Sequence, residues 1–242
     1  MVRWLSEIYF KQQFYPSFIG LFINPYYLAR KDLAQSITLL SQHIRGKTLD
    51  VGCGKKPYER LFNSSEYIGL EYDSPENRRL KKADFFYDGV SFPFRNDEFD
   101  SVVCNQVLEH VFTPGQFLSE INRVLKSEGV LLLSVPFVWD EHEQPYDYAR
   151  YSSFGLKSLL IQHGFEIIEQ QKTLTDIRFI FQLINTYLFK ITATRNRYVN
   201  LAATVFLMSP FTLLGILLAR LLPSNEDLYL DNVVFAKKKG KG

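Results

Sequence analysis

The chain has 242 residues, of which 46% are hydrophobic and 22% charged, enough for one α/β domain with an insertion and a sizeable buried core. A formal net charge of +2, with no basic run interleaved with stacking aromatics, gives no strong field for nucleic acid. The two cysteines, Cys53 and Cys104, make no CxxC pattern, which argues against a structural zinc and for a reducing compartment.

Residues 1–24 are rich in aromatics, with Trp4, Tyr9, Phe10, Phe14, Tyr15, Phe18 and Phe22 among few charges. They suit a lid, a packed flap or a membrane interface. Arg3, Glu7 and Lys11 interrupt any secretory apolar core, so cytoplasmic residence is the expectation, peripheral at the inner face of the membrane if the apolar segments touch lipid. From Asn24-Pro25 a helix is predicted to about Ile44, with Leu28, Leu33, Ile37 and Leu40 on one stripe and Gly46 ending it.

Thr48 to Val51 then reads as a buried strand running into the turn Gly52-Cys53-Gly54, with a helix opened by Pro57 and continuing through Tyr58 to Phe62. Glycine lets the backbone take unusual dihedrals and approach a ligand closely, which is the anatomy of a cofactor-binding first βα turn. Pro57 stands where a dinucleotide fingerprint wants its third glycine, and Asp50 would repel a pyrophosphate but tolerate a cationic amino-acid ligand. In this acidic-GxG pattern the chain resembles the class I S-adenosylmethionine-dependent methyltransferases. The resemblance implies a Rossmann-like α/β fold, a seven-stranded mostly parallel sheet with helices on both faces, and S-adenosylmethionine as cofactor, held at Asp50, Gly52, Cys53 and Gly54.

Glu66 to Glu71 is the predicted second strand, and Glu71 lies about 20 residues past the turn, where doubly wound folds place an acid for ribose hydroxyls. Ala83 to Tyr87 is the third strand. The resemblance puts Asp88 at the adenine amino group, and a turn carboxylate is the plainer reading. Phe99 to Asn105 is the fourth strand, followed by Leu108-Glu109-His110, and this FD-strand-then-LEH run matches the same family. Asn105 would face the methionine part of the cofactor, while His110 reads first as a hydrogen-bonding residue rather than a base. Pro114 to Leu125 is an amphipathic helix, and Val130 to Val135 a fifth, central strand.

The loop from Trp139 to Tyr151, WDEHEQPYDYARY, concentrates titratable and aromatic groups and should border the carboxyl-end crevice of the sheet. It is similar to a loop shared by a narrower group of these methyltransferases, often encoded with cell-envelope polysaccharide genes. For an acceptor hydroxyl, His142 is the first candidate base with Asp140 and Asp147 behind it, and Tyr146, Tyr148 or Tyr151 would line the methyl-transfer channel. A divalent metal on Asp140, His142 and Glu143 is the weaker reading, and no metal is expected. The acceptor stays open between a small molecule, a saccharide and a lipid-linked species, with a quinone-like compound or a non-catalytic membrane scaffold as alternatives.

Ser153 to His163 is a helix, Phe165 to Gln171 the sixth strand and Leu228 to Ala236 the last. Between these two strands lies an apolar helical insertion in which Val199 to Ala219 is uncharged and long enough to cross a bilayer, with Pro210 expected to break it near its middle. A single crossing would strand the last strand on the wrong side, so a surface or re-entrant membrane contact, a homodimer interface or a lid is expected. Lys237, Lys238, Lys239 and Lys241 form a basic tail that would favour solvent or an anionic surface. The chain thus divides into residues 1–45, a methyltransferase core at 46–173, the insertion at 174–227 and the last strand with its tail at 228–242.

Overall fold

The structure is a computed structural model that describes residues 3–80 and 82–240, with side chains described from residue 9 onward except at 81. The side chain of Trp4 and the last lysine of the tail, Lys241, lie outside the described residues. The chain forms two compact units: Met1–Ser36, Val138–Asp140 and Lys172–Asp231 make the first, and Ile37–Phe137, Glu141–Gln171 and Asn232–Gly242 the second. The aromatic N-terminal residues and the apolar insertion, separate in sequence, therefore belong to one unit.

The second unit is built on one seven-stranded sheet: β1 (Arg45–Val51), β2 (Asn63–Tyr72), β3 (Phe85–Tyr87), β4 (Phe99–Asn105), β5 (Leu125–Pro136), β6 (Phe165–Lys172) and β7 (Asp231–Lys238). Their order is β3-β2-β1-β4-β5-β7-β6, with β1 to β5 paired in parallel. The order reverses beside β1, the switch point at which such sheets bind ligands. Apolar runs on the central strands place Leu49, Val102, Leu131 and Leu133 in the core, with no exposed surface. A short helix, α4 (Pro75–Leu80), follows β2; α5 (Pro114–Val124) has proline in its first turn and buries Phe117, Leu118, Ile121 and Val124 on one stripe; α6 (Ser153–Gln162), capped by the Ser152 side chain accepting from the Gly155 amide, buries Leu156 and Leu160. Each such side chain contributes roughly 1.5–3 kcal/mol when fully buried.

Several boundaries depart from expectation. The helix predicted from Pro57 through Phe62 is a single 3₁₀ turn, Glu59–Leu61, because β2 begins at Asn63 and leaves no room for a second turn. The predicted Asn24-to-Ile44 helix is Tyr27–Leu40 followed by a 3₁₀ turn at Ser41–His43, and Gly46 sits inside β1 rather than ending a helix. The basic tail is largely strand: Lys237 pairs with Glu128, and the ammonium of Lys238 reaches Asp97 at 2.7 Å and the Leu125 carbonyl at 2.6 Å. Those charges are spent inside the sheet unit.

The first unit is helical. It holds α1 (Arg3–Phe14), α2 (Gly20–Ile23), the start of α3 (Tyr27–Leu40), α7 (Arg178–Thr192), α8 (Arg197–Ala203) and α9 (Ser209–Leu218), the last two joined by a π-helical turn at Thr204–Met208. Pro210 does not break the segment. The wide π turn comes just before it and accommodates a residue without an N–H, so the helix runs on from Arg197 to Leu218. Its core packs Leu21, Tyr27, Leu28, Phe179, Phe181 and Leu230.

Candidate functional site

Parallel register brings the carboxyl ends of the central strands level: Val51 pairs with Leu70 and with Cys104, and Asn105 with Ser134. The glycine turn after β1, Glu71 and Asn105 all stand at that edge of the sheet. Beyond Val51 the chain turns through Gly52 at φ 70° and Gly54 at φ 55°, a left-handed region that side chains avoid. A Cβ on Gly52 would sit 2.3 Å from Val107 Cγ2, whereas one on Gly54 would meet nothing within 4 Å. Gly52 is thus demanded by the protein itself, and Gly54 faces open space.

Glu71 fixes this turn. Its buried carboxylate accepts the Gly54 amide at 2.6 Å, and the amides of Gly52 and Cys53 follow on to the Leu70 carbonyl. A second clip comes from Lys56, itself at φ 53°, whose ammonium pairs with Asp84, while Asp84 also accepts the Gly69 amide at 2.7 Å. Sequence reasoning missed Lys56 and Asp84: they lie 28 residues apart, and only the placement of β2 between β1 and β3 brings them together.

Asp50 points away from solvent, accepting the Tyr67 hydroxyl at 2.7 Å. Burial pushes its carboxyl up to about 7, helped by the neighbouring Glu71 charge and opposed by the Tyr67 hydrogen bond. Cys53 offers only its main chain to a ligand, since its thiol is buried and would lie 2.6 Å from a Cβ on Gly69. Asp88 follows β3 and accepts the amides of Val90 and Ser91 at 2.9 and 3.1 Å, which holds its carboxyl below the usual range; the turn-forming role is the one the geometry displays. Asn105 ends β4, and its Oδ1 accepts from the Ser134 hydroxyl at 3.2 Å.

The loop after β5 divides between the units at Asp140. Asp140 belongs to the helical unit, where Lys190 pairs with it at 2.8 Å and the nearby Tyr26 hydroxyl is pushed up to about 12, by burial first and by the Asp140 charge second. With its charge engaged there, Asp140 is no longer a candidate base. Asp147 also changes role. Arg150 grips both its oxygens at 2.6 and 2.7 Å and holds its carboxyl down at about 2, so it stays ionised and is only a weak base near neutral pH. It accepts the amide of His142 at 2.9 Å and lies 3.3 Å from that residue's Nδ1. Tyr146 serves through its carbonyl, 2.7 Å from His110 Nδ1, while its ring is largely exposed.

His110 and His142 meet edge to face with ring centroids 4.7 Å apart, and the buried Glu109 carboxylate is beside them. Ligand atoms of Glu109, His110 and His142 all lie within 4.8 Å of one another, the set of the described residues with spacing suited to a divalent cation, where no metal was expected and the weaker reading named Asp140, His142 and Glu143. Burial lowers the His110 pKa and so favours its neutral imidazole. The Glu109 carbonyl accepts the amides of Tyr148 and Ala149 at 2.9 and 3.2 Å, which ties the LEH turn to the loop. The sequence showed Glu109 only as part of the LEH run, with no role of its own, and it did not show the contact between the two histidines, which stand 32 positions apart.

A ligand that needs a backbone cradle, a buried carboxylate a few ångströms away and an amide at the next strand end would find all three at Gly54, Glu71 and Asn105. Nucleoside ligands present such groups, and the open space over Gly54 is where one would lie. The family model described as "Methyltransferase domain" matches residues 49–133, which run from β1 through β5. A Mycolicibacterium smegmatis protein named "Probable S-adenosylmethionine-dependent methyltransferase" is 30% identical over 132 residues, 49% of this chain and 51% of that one. The chain spans about half the length of the curated relatives it matches. Among solved structures, phosphoethanolamine N-methyltransferase 2 of Haemonchus contortus, in complex with S-adenosyl-L-methionine, has a TM-score of 0.53 at 18% identity, over 96% of this chain and 59% of that one. The cyclase SpnF has a TM-score of 0.57 at 19% identity, over 89% and 84%. The likeness to these two is one of fold, and it agrees with the family match: residues 49–133 of this chain form a methyltransferase domain on the Rossmann-like fold of the S-adenosylmethionine-dependent methyltransferases.

Proposed function

We propose that the protein transfers a methyl group from S-adenosylmethionine to a hydroxyl of a small-molecule, saccharide or lipid-linked acceptor, with His142 as the base. The same fold in a cyclase is a reminder that fold does not fix reaction, so the reading rests on the site. One observation carries it: the glycine turn clipped by Glu71 and the loop bearing His142 both stand at the carboxyl edge of the same strands.

Bound S-adenosylmethionine supplies an activated methyl group, which leaves the protein mainly a positioning task. Gly54 and Glu71 would hold the nucleoside end, and Asn105 the amino-acid end. His142 takes the acceptor proton: an Nδ1–H directed at ionised Asp147 places the accepting lone pair on Nε2. Asp147 acts on the reaction only through that orientation. His110, whose neutral form burial favours, packs edge to face against His142 and limits the ring's freedom to turn.

A membrane-surface location is the finer part of the reading, supported by the exposed apolar residues of α8 and α9. The test uses methyl-labelled S-adenosylmethionine with the purified protein and a host lysate split into lipid and aqueous fractions. Label in the lipid extract supports a lipid-linked acceptor, and label in an aqueous glycan or small molecule supports a soluble one. Cofactor binding without transfer to any fraction would overturn methyl transfer in favour of a scaffold role.

A further inference from the structure

The segment Arg197–Leu218 is inside out for a water-facing helix. In a soluble protein the apolar stripe faces the core and the polar residues face solvent. Here Thr204, Ser209 and Thr212 are buried, while Phe206 is 77% and Leu217 54% exposed, with Leu207, Leu213 and Leu214 exposed beside them. The inward polar groups are satisfied within the helical unit. Asn185 of α7 donates to the Thr212 hydroxyl at 2.8 Å, and the Ser209 hydroxyl donates to the Leu21 carbonyl at 3.0 Å. Gly215 lets α7 approach closely, since a Cβ there would be 3.0 Å from Phe181. Small and hydroxylated residues inside with large apolar ones outside is the arrangement of helices packed in lipid.

The charges decide what covers this face. Between Asp176 and Glu226 there is no acidic residue, and the charged side chains are Arg178, Lys190, Arg195, Arg197 and Arg220, all positive. Arg195 and Arg197 stand at one end of the apolar segment and Arg220 at the other. A second copy of this chain would bring like charges together, whereas anionic phosphates complement them. Exposed Phe18 and Ile19, beside α2, add to the apolar surface of the unit.

Geometry rules out a single crossing. The two ends of the insertion are tied together: the Thr173 amide donates to the Asp231 carbonyl at 3.0 Å, and the Leu230 amide to the Thr173 carbonyl at 2.9 Å. Helix α7, at 15 residues, is about 22 Å long, short of the roughly 30 Å hydrocarbon core. The chain must return on the side from which it left.

We infer that the outer face of α8 and α9 is a monotopic docking surface for an anionic lipid bilayer, with Phe206, Leu213 and Leu217 at the acyl boundary and Arg195, Arg197 and Arg220 at phosphate level. This deepens the membrane-surface part of the proposed function, and its test involves no methyl transfer. The full chain is floated with phosphatidylcholine vesicles, with or without phosphatidylglycerol. The wild type should float with the anionic vesicles. The triple variant Phe206→Ser, Leu213→Ser, Leu217→Ser should lose that partition by about tenfold or more, and Arg195→Gln, Arg197→Gln, Arg220→Gln should lose its dependence on phosphatidylglycerol. Unchanged cofactor affinity in calorimetry certifies that each variant is folded, independently of whether any acceptor is found. Wild-type protein that stays with the unbound fraction overturns the inference, as does a triple variant that still floats. A concentration-dependent dimer that the triple variant abolishes, without vesicle binding, overturns it in favour of a second copy.

Discussion

The amide of Gly54 donates to the Glu71 carboxylate at 2.6 Å, so the acid at the end of β2 that would receive a ribose also holds the turn that would receive its nucleoside. Two requirements that sequence reading treats as separate motifs, a glycine turn and an acid about 20 residues later, are one hydrogen-bonded object.

Glu71→Gln should therefore separate the two duties. The amide oxygen still accepts from Gly54, but the charge is gone, and a charge-assisted hydrogen bond is worth about 1.5–3 kcal/mol. The cofactor dissociation constant should rise on the order of tenfold to a hundredfold in calorimetry with little change in melting temperature. Glu71→Ala leaves the Gly54 amide without this acceptor and should lower stability as well, by about 1–3 kcal/mol. Equal melting temperatures for the two variants would show that the clip does not support the turn.

Gly52 and Gly54 share positive φ but not surroundings, and alanine distinguishes them. At Gly52 the new methyl collides with Val107, and the resulting shift adds about 1–3 kcal/mol to the backbone strain. At Gly54 only the strain remains, about 1–2 kcal/mol, because the methyl enters open space. Gly52→Ala should lose stability in denaturant titration before ligand is considered; Gly54→Ala should remain folded yet bind cofactor poorly. Normal binding by Gly54→Ala would mean that the open space is not the ligand's.

What was legible in the sequence was whatever local pattern determines. Val51-Gly52, the acid at Glu71, the FD strand and the apolar strands could be read because each is specified within a few residues. Strand β7 was readable as a strand from LYLDNVVFA, although it begins at Asp231, since the preceding residues close the helical unit. The environment of Asp147 was not legible, because it depends on Arg150: sequence shows a carboxylate in a polar loop and not the guanidinium that grips both its oxygens. The Pro57 helix failed because chain length between β1 and β2, not proline's preference, set the outcome. The meeting of His110 with His142 depends on the loop folding back along the LEH turn, and no spacing rule encodes that.

Asp50 gives a prediction about pH. Its folded carboxyl, pushed up to about 7, titrates above its unfolded value near 3.9. The folded state therefore binds the proton more tightly. The stability it confers is fully present below the unfolded value and is lost as pH rises through about 7, by on the order of a few kcal/mol. Asp50→Asn keeps an acceptor for Tyr67 and cannot ionise, so its stability should hold between pH 5 and 8 where the wild type declines. Parallel declines in urea titrations of both proteins would place the pH dependence elsewhere.

The His142 assignment rests on Asp147 acting through it, and a double-mutant cycle can test that dependence. His142→Ala removes the base and should lower kcat by about 10²–10⁴-fold, the range for general-base catalysis, with cofactor affinity unchanged. Asp147→Asn keeps an acceptor for the His142 amide but removes the anion that aligns the ring, so kcat should fall less and KM for the acceptor should change little. If Asp147 is a positioning residue, its loss costs nothing once the imidazole is gone, and the double variant should be no slower than His142→Ala alone. Fully additive losses would show that Asp147 contributes by a separate route, either to the acceptor or to the loop that Arg150 closes. Arg150→Met decides between those two. It releases the grip on Asp147 without touching the imidazole, so a defect in the loop alone should reproduce the Asp147→Asn loss and expose the amide of His142 to hydrogen exchange.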